Sequence, residues 1–418
     1  MLFGWELLSD HELDQIARGV RDGAVCGGPY HLLLFPTNRC NLDCFFCNSL
    51  ELRERGDELN WDLLRRTLEE GLEHGLKGIS FTGGGEPMLY SRLGELFAWC
   101  REHAIRYRSL TTNGTPLTPD TCRALMEGDL KWLIVSLDET TPATHAEMTR
   151  SSPRLFEKAM EGIANAVRAR DAAGIACEIR IQIFLWKQNF RRLLQMVEDV
   201  LPTRPDIVFF NTLDYQAQDR HLDEAEREEL RELIREAVRR WAPLVRFRLF
   251  NEGLQKFAEE ELFAHHPEAI APTDVCKTPH RIEYCYTPWY MPILTADGGV
   301  FPCCYMVDAA RQKLGDIHKQ PLTEIWRGEA ANRLRREQRH LMLTDADPKL
   351  FPRRPCFISP FCLGRTTCPI NFYLASPEFY HRMDAWAQSG PRARYKAAAR
   401  VTSALRKGVR KIRRWVRR

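Results

Sequence analysis

A parallel-sheet α/β fold followed by a cysteine-rich module is predicted by three features of this 418-residue sequence. Between residues 31 and 210, short apolar runs alternate with amphipathic helical patterns, as in strands joined by crossover helices. Loops rich in Gly, Asn and acidic residues follow the ends of successive runs. Ten of the fourteen cysteines fall into two groups, three at residues 40–47 and seven at residues 276–368.

A helical segment around Asp10 to Val20 opens the chain and leads to the first strand, His31 to Phe35. The next strands read Gly78 to Thr82, Tyr107 to Thr111, Trp132 to Ser136, Cys177 to Phe184 and Asp206 to Phe210. Helices are predicted between them over Trp61 to His74, Arg92 to His103, Pro119 to Glu127, Arg154 to Ala172 and Phe190 to Val200. Six strand–helix units are too few for the eight of a closed barrel. The charged helix from Asp223 to Arg240 reads as a solvated face. Beyond about Pro272 the alternation stops, and a region rich in Cys, Pro and aromatics begins. It should lack long regular elements, as a small module held partly by metal does.

The composition, 44% hydrophobic and 28% charged, is that of a chain able to bury a sizeable core. No apolar run approaches the roughly 18 residues of a spanning helix, and Met1 to Asp10 lacks the pattern of a secretory signal. A cytoplasmic location is expected, and there fourteen cysteines point to metal or redox chemistry rather than to disulfides. Cys26, Cys100, Cys122 and Cys177, scattered singly, read as small buried hydrophobes.

The loop after the first strand places Cys40, Cys44 and Cys47 within eight residues. Three thiolates so spaced can hold three irons of a cubane cluster and leave the fourth open. A structural zinc site is the alternative, but it needs a fourth ligand, and no His lies between Pro36 and Ser49. After the second strand comes Thr82-Gly83-Gly84-Gly85-Glu86-Pro87, where backbone can approach a ligand closely and one carboxylate can meet an amino group. Thr111-Thr112-Asn113-Gly114 follows the third strand. The fourth ends Ser136-Leu137-Asp138, with Arg150 beyond. Each loop follows the C-terminal end of its strand, where parallel α/β folds bind ligands.

In Cys-x3-Cys-x2-Cys, Gly-Gly-Glu and the loops after them, residues 30–215 resemble the radical S-adenosylmethionine (SAM) superfamily. The resemblance implies a partial (β/α)6, TIM-like barrel with a [4Fe–4S] cluster on Cys40, Cys44 and Cys47, whose open iron is chelated by SAM. It places Phe46 against the adenine and Gly84, Gly85 and Glu86 at the methionyl amino group. Asn113 joins the same cofactor site, Ser136 and Asp138 lie on the ribose side, and Arg150 pairs with the carboxylate. It also implies an electron donor such as flavodoxin or ferredoxin and reductive cleavage of SAM to a 5′-deoxyadenosyl radical.

The later cysteines are Cys276, Cys285, Cys303, Cys304, Cys356, Cys362 and Cys368. Gly298-x4-Cys303, with Leu314-Gly315-Asp316 and Ile325-Trp326, resembles the SPASM and twitch extensions, which carry auxiliary [4Fe–4S] clusters. The sequence departs from the full SPASM pattern, since Ser359 stands where a Cys-x2-Cys pair ending at Cys362 needs its first thiol. Seven cysteines fall short of the eight ligands of two complete clusters. At least one auxiliary cluster is expected, and a zinc module is the alternative.

The domain organisation read from the sequence is a helical segment at 1–29, the barrel at 30–215 and a helical connector at 216–271. An auxiliary-cluster domain at 272–375 and a helical region with a basic tail at 376–418 complete it. The expected substrate is a small molecule, a sugar or a lipid-linked compound, contacted by Asn211, Asp214 and Tyr215. A peptide is the alternative, although the roughly thirty residues before the first strand are too short for a leader-binding domain. A non-catalytic iron–sulfur protein is the third reading. The net charge of +4 conceals an asymmetry. Residues 392–418 hold twelve Lys or Arg and no acid, so the first 391 residues hold 48 basic against 56 acidic residues, a net of −8. Val401, Leu405, Val409, Ile412 and Val416 form an apolar stripe in that tail. Such a helix can lie on an anionic membrane surface. A nucleic-acid arm, less favoured, and a partner-docking or disordered end are the alternatives.

Overall fold

The computed structural model describes residues 7–47, 49–212, 222–250, 257, 262, 265–266, 269, 287–303 and 313–344. The first helix, α1 (Asp10–Asp22), starts in a capping box in which Ser9 and Glu12 exchange side-chain-to-backbone bonds. Strands β1 (His31–Leu34), β2 (Gly78–Phe81), β3 (Tyr107–Thr112), β4 (Trp132–Ser136), β5 (Glu178–Leu185) and β6 (Ile207–Thr212) pair in parallel in that order. Between them lie α2 (Leu50–Arg53), α3 (Trp61–Glu73), α4 (Leu93–Glu102), α5 (Pro119–Glu127), α6 (Pro142–Thr149), α7 (Pro153–Ala173) and α8 (Leu193–Val200). Three starts share one local cause. Thr118, Thr141 and Ser152 each accept a bond from a first-turn N–H and precede a proline, whose fixed φ suits the first helical position.

Strands laid down in sequence order, with no reversal, put every crossover helix on the same face of the sheet. The core shows this. Leu32, Ile79, Leu110, Leu133, Ile181 and Val208 alternate outward from the strands and cluster with Leu64, Leu96, Leu125, Ile163 and Val197 from the helices. The opposite, concave face mixes polar side chains such as Ser136, Arg180 and Gln182 with apolar ones such as Ile134, Ile207 and Phe209.

Four features differ from the sequence reading. The segment expected to be a helical connector contains α9 (Glu224–Trp241) and then a seventh parallel strand, β7 (Arg246–Phe250), paired with β6. Its alternation of Arg and apolar residues hid it, because a half-buried strand carrying arginines lacks an apolar run. Helix α9 has a solvated charged face as expected, but Leu230, Ile234, Ala237 and Val238 on its other side are fully buried. The cysteine-rich region does contain a long element, the 16-residue α12 (Glu329–Thr344). Of the scattered cysteines, Cys100, Cys122 and Cys177 are buried, whereas Cys26 is exposed.

The later region extends the first sheet. After the short α10 (Thr287–Tyr290), β8 (Ile293–Leu294) pairs in parallel with β1, while β9 (Gly299–Phe301) and β10 (Gly315–Asp316) add antiparallel strands at that edge. Indole N–H groups tie the units together: Trp289 donates to the Ala24 carbonyl at 2.8 Å and Trp326 to the Gly27 carbonyl at 3.1 Å. Arg335 is fully buried between Trp326, on which it stacks at 4.3 Å, and the Pro288 and Trp326 carbonyls. Burial lowers its pKa to about 9.

Glu70 of α3 caps α11 (Leu322–Arg327) from another part of the chain, accepting from the Leu322 N–H at 3.0 Å and the Thr323 N–H at 2.9 Å. The N-cap itself is Pro321, which has no side-chain acceptor. Glu70→Ala should therefore lower stability by about 1–2 kcal/mol, the loss of a helix cap. Urea denaturation checks the figure, and faster proteolysis near residue 322 should accompany it.

Candidate active site

The loop bearing Cys40, Cys44 and Cys47 is strapped at both ends. On one side, the Asp43 N–H donates to the Thr149 carbonyl at 2.9 Å and the Phe45 N–H to the Met148 carbonyl at 3.1 Å, fixing the loop to the end of α6. On the other, the Gly85 N–H donates to the Thr37 carbonyl at 2.9 Å and the Glu86 N–H to the Arg39 carbonyl at 2.8 Å. The Gly-Gly-Glu loop thus lies directly against the residues leading into Cys40. Gly84, at φ +70°, faces the buried Asn38 side chain, whose Oδ1 accepts no hydrogen bond.

Glu86 is almost fully buried. Its carboxylate accepts from Thr112 Oγ1 at 2.7 Å, the Asn113 N–H at 2.7 Å and the Met88 N–H at 3.0 Å. A carboxylate has about four lone-pair sites; three are in use, which leaves one for an incoming donor. Burial raises its pKa to about 7, against the three donors, which lower it. Asn113 is further locked in a ring of hydrogen bonds: its Nδ2 donates to Asn41 Oδ1, Asn41 Nδ2 to Thr115 Oγ1, and Thr115 Oγ1 to Asn113 Oδ1, all at 2.7–2.8 Å. Asn41 follows Cys40, so this ring fastens the cysteine loop to the end of β3.

Ser136 donates to both carboxylate oxygens of Asp138, at 2.8 and 3.0 Å, and receives Gln182 Nε2 at 3.3 Å. Asp138 takes a left-handed φ of +65° and is buried, which raises its pKa to about 7 despite the bonds from Ser136 and Gln182. It stands close enough to Cys44 that its charge, after burial, helps push that thiol upward. Cys40 is also raised, mainly by burial. Arg150 terminates α6 in a left-handed conformation, largely exposed, with Nη1 3.5 Å from Asp43 Oδ2. All five polar residues that the resemblance assigned to SAM (Glu86, Asn113, Ser136, Asp138 and Arg150) thus gather around the cysteine loop. Phe46 turns into an apolar group with Met148, Phe184 and Trp186, against which Cys44 packs.

Three positions were given no role from the sequence. Arg53 is nearly buried, reaching the Leu42 carbonyl and, at 2.8 Å, Asp43 Oδ1, so it clamps the cysteine loop from inside. Thr112 and Gln182 complete the Glu86 and Asp138 networks. Arg53 and Gln182 lie outside the quoted motifs, Thr112 stands within Thr111-Thr112-Asn113-Gly114, and only the fold shows what each does. Asn211 ends the concave column of β6, beside Phe184 and Phe250 in register. Cys303 is buried just beyond β9, after a turn in which Asp297 Oδ1 accepts from Thr295 Oγ1 at 2.6 Å and the Gly299 N–H at 3.2 Å. Arg55 pairs with Asp297 at 3.2 Å, joining that turn to the segment after Cys47. Asp214, Tyr215, Cys276, Cys285, Cys304, Cys356, Cys362, Cys368 and the basic tail lie outside the described residues.

Comparison with known proteins agrees with this geometry. The model of the radical SAM superfamily matches residues 34–184, and that of SPASM, an iron–sulfur cluster-binding domain, matches residues 285–347. The chain belongs to the radical SAM superfamily and carries a SPASM domain. It is an enzyme whose cofactors are a [4Fe–4S] cluster with SAM and auxiliary iron–sulfur. A probable GTP 3′,8-cyclase of Methanococcus maripaludis is 25% identical over 62% of this chain and 84% of its own length. A GTP 3′,8-cyclase of Bradyrhizobium diazoefficiens is 31% identical over 41% of this chain and 47% of its own. Among solved structures, Streptococcus suis SuiB (TM-score 0.56, 17% identity) covers 78% of this chain and 71% of its own. AdoMet-bound anSMEcpe (TM-score 0.56, 16% identity) covers 89% and 99%. Both show the fold. Among the described residues, no helix is long and apolar enough to cross a membrane.

The residues at the cysteine loop fit the cofactor. The donors are three soft thiols set against an aromatic wall, and Cys40 and Cys47 each push the Cys44 thiol further up after burial, so the three are neighbours. Among the described residues no three His, Cys, Asp or Glu side chains converge on a single ion. A cubane takes each thiolate on a different iron and needs no such convergence.

The two buried carboxylates make stability depend on pH. Their folded pKa values of about 7 lie above the usual 3.8 and 4.5, so the folded state binds protons more tightly than the unfolded one. Stability is gained as pH falls through 7. Without SAM, the holoenzyme should be about 1 kcal/mol per carboxylate more stable at pH 6 than at pH 8. Urea midpoints at the two pH values check the sign, and Asp138→Asn should remove about half of the difference.

Proposed function

We propose that Cys40, Cys44 and Cys47 hold the cluster and that the surrounding loops hold SAM on the concave face of the sheet. When bound, these centres would supply one-electron chemistry suited to abstracting a hydrogen atom from the substrate, with the auxiliary iron–sulfur available to accept or relay an electron. The observation that carries the reading is the convergence of the β2, β3 and β4 loops and Arg150 on the cysteine loop. Glu86 offers its remaining acceptor site to the amino group beside Gly84 and Gly85, and Asn113 keeps that loop in place. Ser136 and Asp138 form an acceptor pair for a ribose diol. Arg150, now on Asp43, is free to swing its fork toward a carboxylate. Phe46, backed by Phe184, excludes water from the adenine side. Cys303 with Cys276, Cys285, Cys304, Cys356, Cys362 and Cys368 supplies auxiliary ligands.

The substrate in this reading is a small molecule, a sugar or a lipid-linked compound that undergoes net oxidation or rearrangement. The relatives named GTP 3′,8-cyclase support a small molecule. The neighbours solved with peptides, SuiB with its precursor SuiA and anSMEcpe with Cys peptides, make a peptide the second outcome to test. Anaerobically reconstituted enzyme with dithionite and labelled SAM should form 5′-deoxyadenosine. Deuterium transfer into it from a host extract separated into small-molecule, lipid and peptide fractions identifies the class, and no 5′-deoxyadenosine from any fraction sinks the reading. A flavodoxin or ferredoxin replaces dithionite in the cell. The basic tail is proposed to seat the enzyme on anionic membrane; equal liposome binding after truncation at Gly390 refutes this.

A further inference from the structure

We propose that Arg53 tunes the reduction of the cluster at the cysteine loop, donating its Nε–H to a sulfur there and holding a positive charge beside it. The inference rests on the reading of Cys40, Cys44 and Cys47 as the ligands and adds the side chain that sets their redox behaviour.

Arg53 ends α2, the short helix that follows Cys47, and its side chain is 11% exposed. Two of its nitrogens hold the peptide between the first two cysteines. Nη1 donates to the Leu42 carbonyl, and Nη2 donates to Asp43 Oδ1 at 2.8 Å. These two bonds suffice to clamp the loop. The third nitrogen has no part in the clamp: Nε is buried, and among the described residues its N–H meets no acceptor. A buried donor left without a partner is costly. A planar guanidinium fixed through its two outer nitrogens also cannot turn the third one elsewhere.

The surroundings of the guanidinium identify the acceptor. Burial alone would lower the Arg53 pKa, but the charges of Cys47 and Cys40, together with the Asp43 pair, raise it. The effect is mutual. Burial raises the Cys40 and Cys44 thiols, and Arg53 opposes that rise in both, whereas Glu86 adds to it at Cys40 and Asp138 at Cys44. Arg53 is thus a nearly buried cation beside the thiols, on a loop that also faces two buried carboxylates. The loop already directs backbone donors to sulfur, since the Ser49 N–H lies 3.4 Å from Cys47 Sγ. Sulfur is the acceptor that this loop offers the Nε–H once iron is bound. Reduction adds one electron, and hence one negative charge, from the flavodoxin or ferredoxin donor. Net charge and hydrogen bonds to sulfur both set the potential of such a cluster. Arg53 favours the reduced form on both counts, and it keeps its own proton throughout.

The test is pulsed EPR of the full-length, anaerobically reconstituted holoenzyme, with arginine labelled in the heavy nitrogen isotope, reduced by dithionite without SAM. The signal lost in Cys44→Ala identifies the loop cluster. That signal should carry a coupling to labelled nitrogen, and the coupling should vanish in Arg53→Lys, which keeps the charge but has no Nε–H. In Arg53→Gln with unchanged iron content, potentiometric titration should show the ratio of reduced to oxidised loop cluster at a fixed potential lowered at least tenfold, or ~59 mV for one electron. Where the Gln variant does not hold its iron, the labelled wild-type protein and Arg53→Lys decide the question. Three results overturn the proposal and leave Arg53 a structural clamp: no nitrogen coupling in the wild-type protein, a coupling that survives in Arg53→Lys, or an unchanged ratio in an iron-replete Arg53→Gln. A full iron count in Cys44→Ala would instead overturn the ligand assignment, so the two readings fail separately.

Discussion

Cys44→Ala should abolish 5′-deoxyadenosine formation and remove about four of the irons bound per chain, while the auxiliary iron stays. The thiol occupies the middle of the loop, packs on the Phe46, Met148, Phe184 and Trp186 group and has Asp138 close by. With the thiol gone, one corner of the cluster faces an apolar wall with no donor to replace it. Losing an outer partner of a metal ligand already costs about 10–100-fold. Losing the ligand should cost more, and Asp43→Asn, which weakens the Arg53 and Arg150 pairs from outside, should fall in that lower range. Cys100→Ala provides the contrast: Cys100 is equally a thiol, but it is fully buried in the core, and its loss should leave the iron count unchanged. Loss of auxiliary iron in Cys44→Ala, or turnover that survives it, would remove this loop from the chemistry. Colorimetric iron assay and chromatography of the nucleoside product are sufficient.

How far the sequence could be read depended on whether a residue's role was local. Most of the first six strands announced themselves as apolar runs because each has a face in the helix-covered core, while β3 (YRSLTT) stood out only by its place in the alternation. β7 did not, since Arg246 and Arg248 interrupt the run and are stabilised by Glu178 and Phe209 from other strands. The site divides in the same way. Cys40, Cys44, Cys47, Gly84, Gly85 and Glu86 stand in short motifs whose spacing carries their chemistry. Arg53, Thr112 and Gln182 act only through neighbours that the fold brings, so the sequence assigns no role to them, even to Thr112 inside its Thr-Asn-Gly loop. β8 pairs with β1 more than 250 residues earlier in the chain, and that register is invisible without the structure. It also explains why the boundary near Pro272, clear in composition, is not a break in the sheet.

Gly85→Ala should be nearly as damaging as loss of a cysteine, although it removes no ligand. A Cβ at this position would stand 2.6 Å from the carbonyl carbons of both Asn38 and Arg39, and closer still to the Arg39 oxygen. These atoms are backbone, so no side chain can swing away. Either the Gly85 N–H gives up the Thr37 carbonyl and the Glu86 N–H that of Arg39, or the strand leading to Cys40 moves outward. Both routes separate the Gly-Gly-Glu loop from the cysteine loop. The cost should be about 2–3 kcal/mol, in the range of severe overpacking. Apparent SAM affinity should fall at least tenfold, because Glu86 is displaced relative to the cluster even where the chain still folds. Gly94→Ala supplies the opposite case. Gly94 is exposed in the first turn of α4 with nothing within 4 Å of its added Cβ, and alanine there should be neutral or stabilise by about 0.5–1 kcal/mol. If the two variants bind SAM equally well, the close approach of the two loops has no part in holding the cofactor. If Gly85→Ala alone loses affinity while keeping its iron, the glycine is required for the position of Glu86 rather than for the cluster.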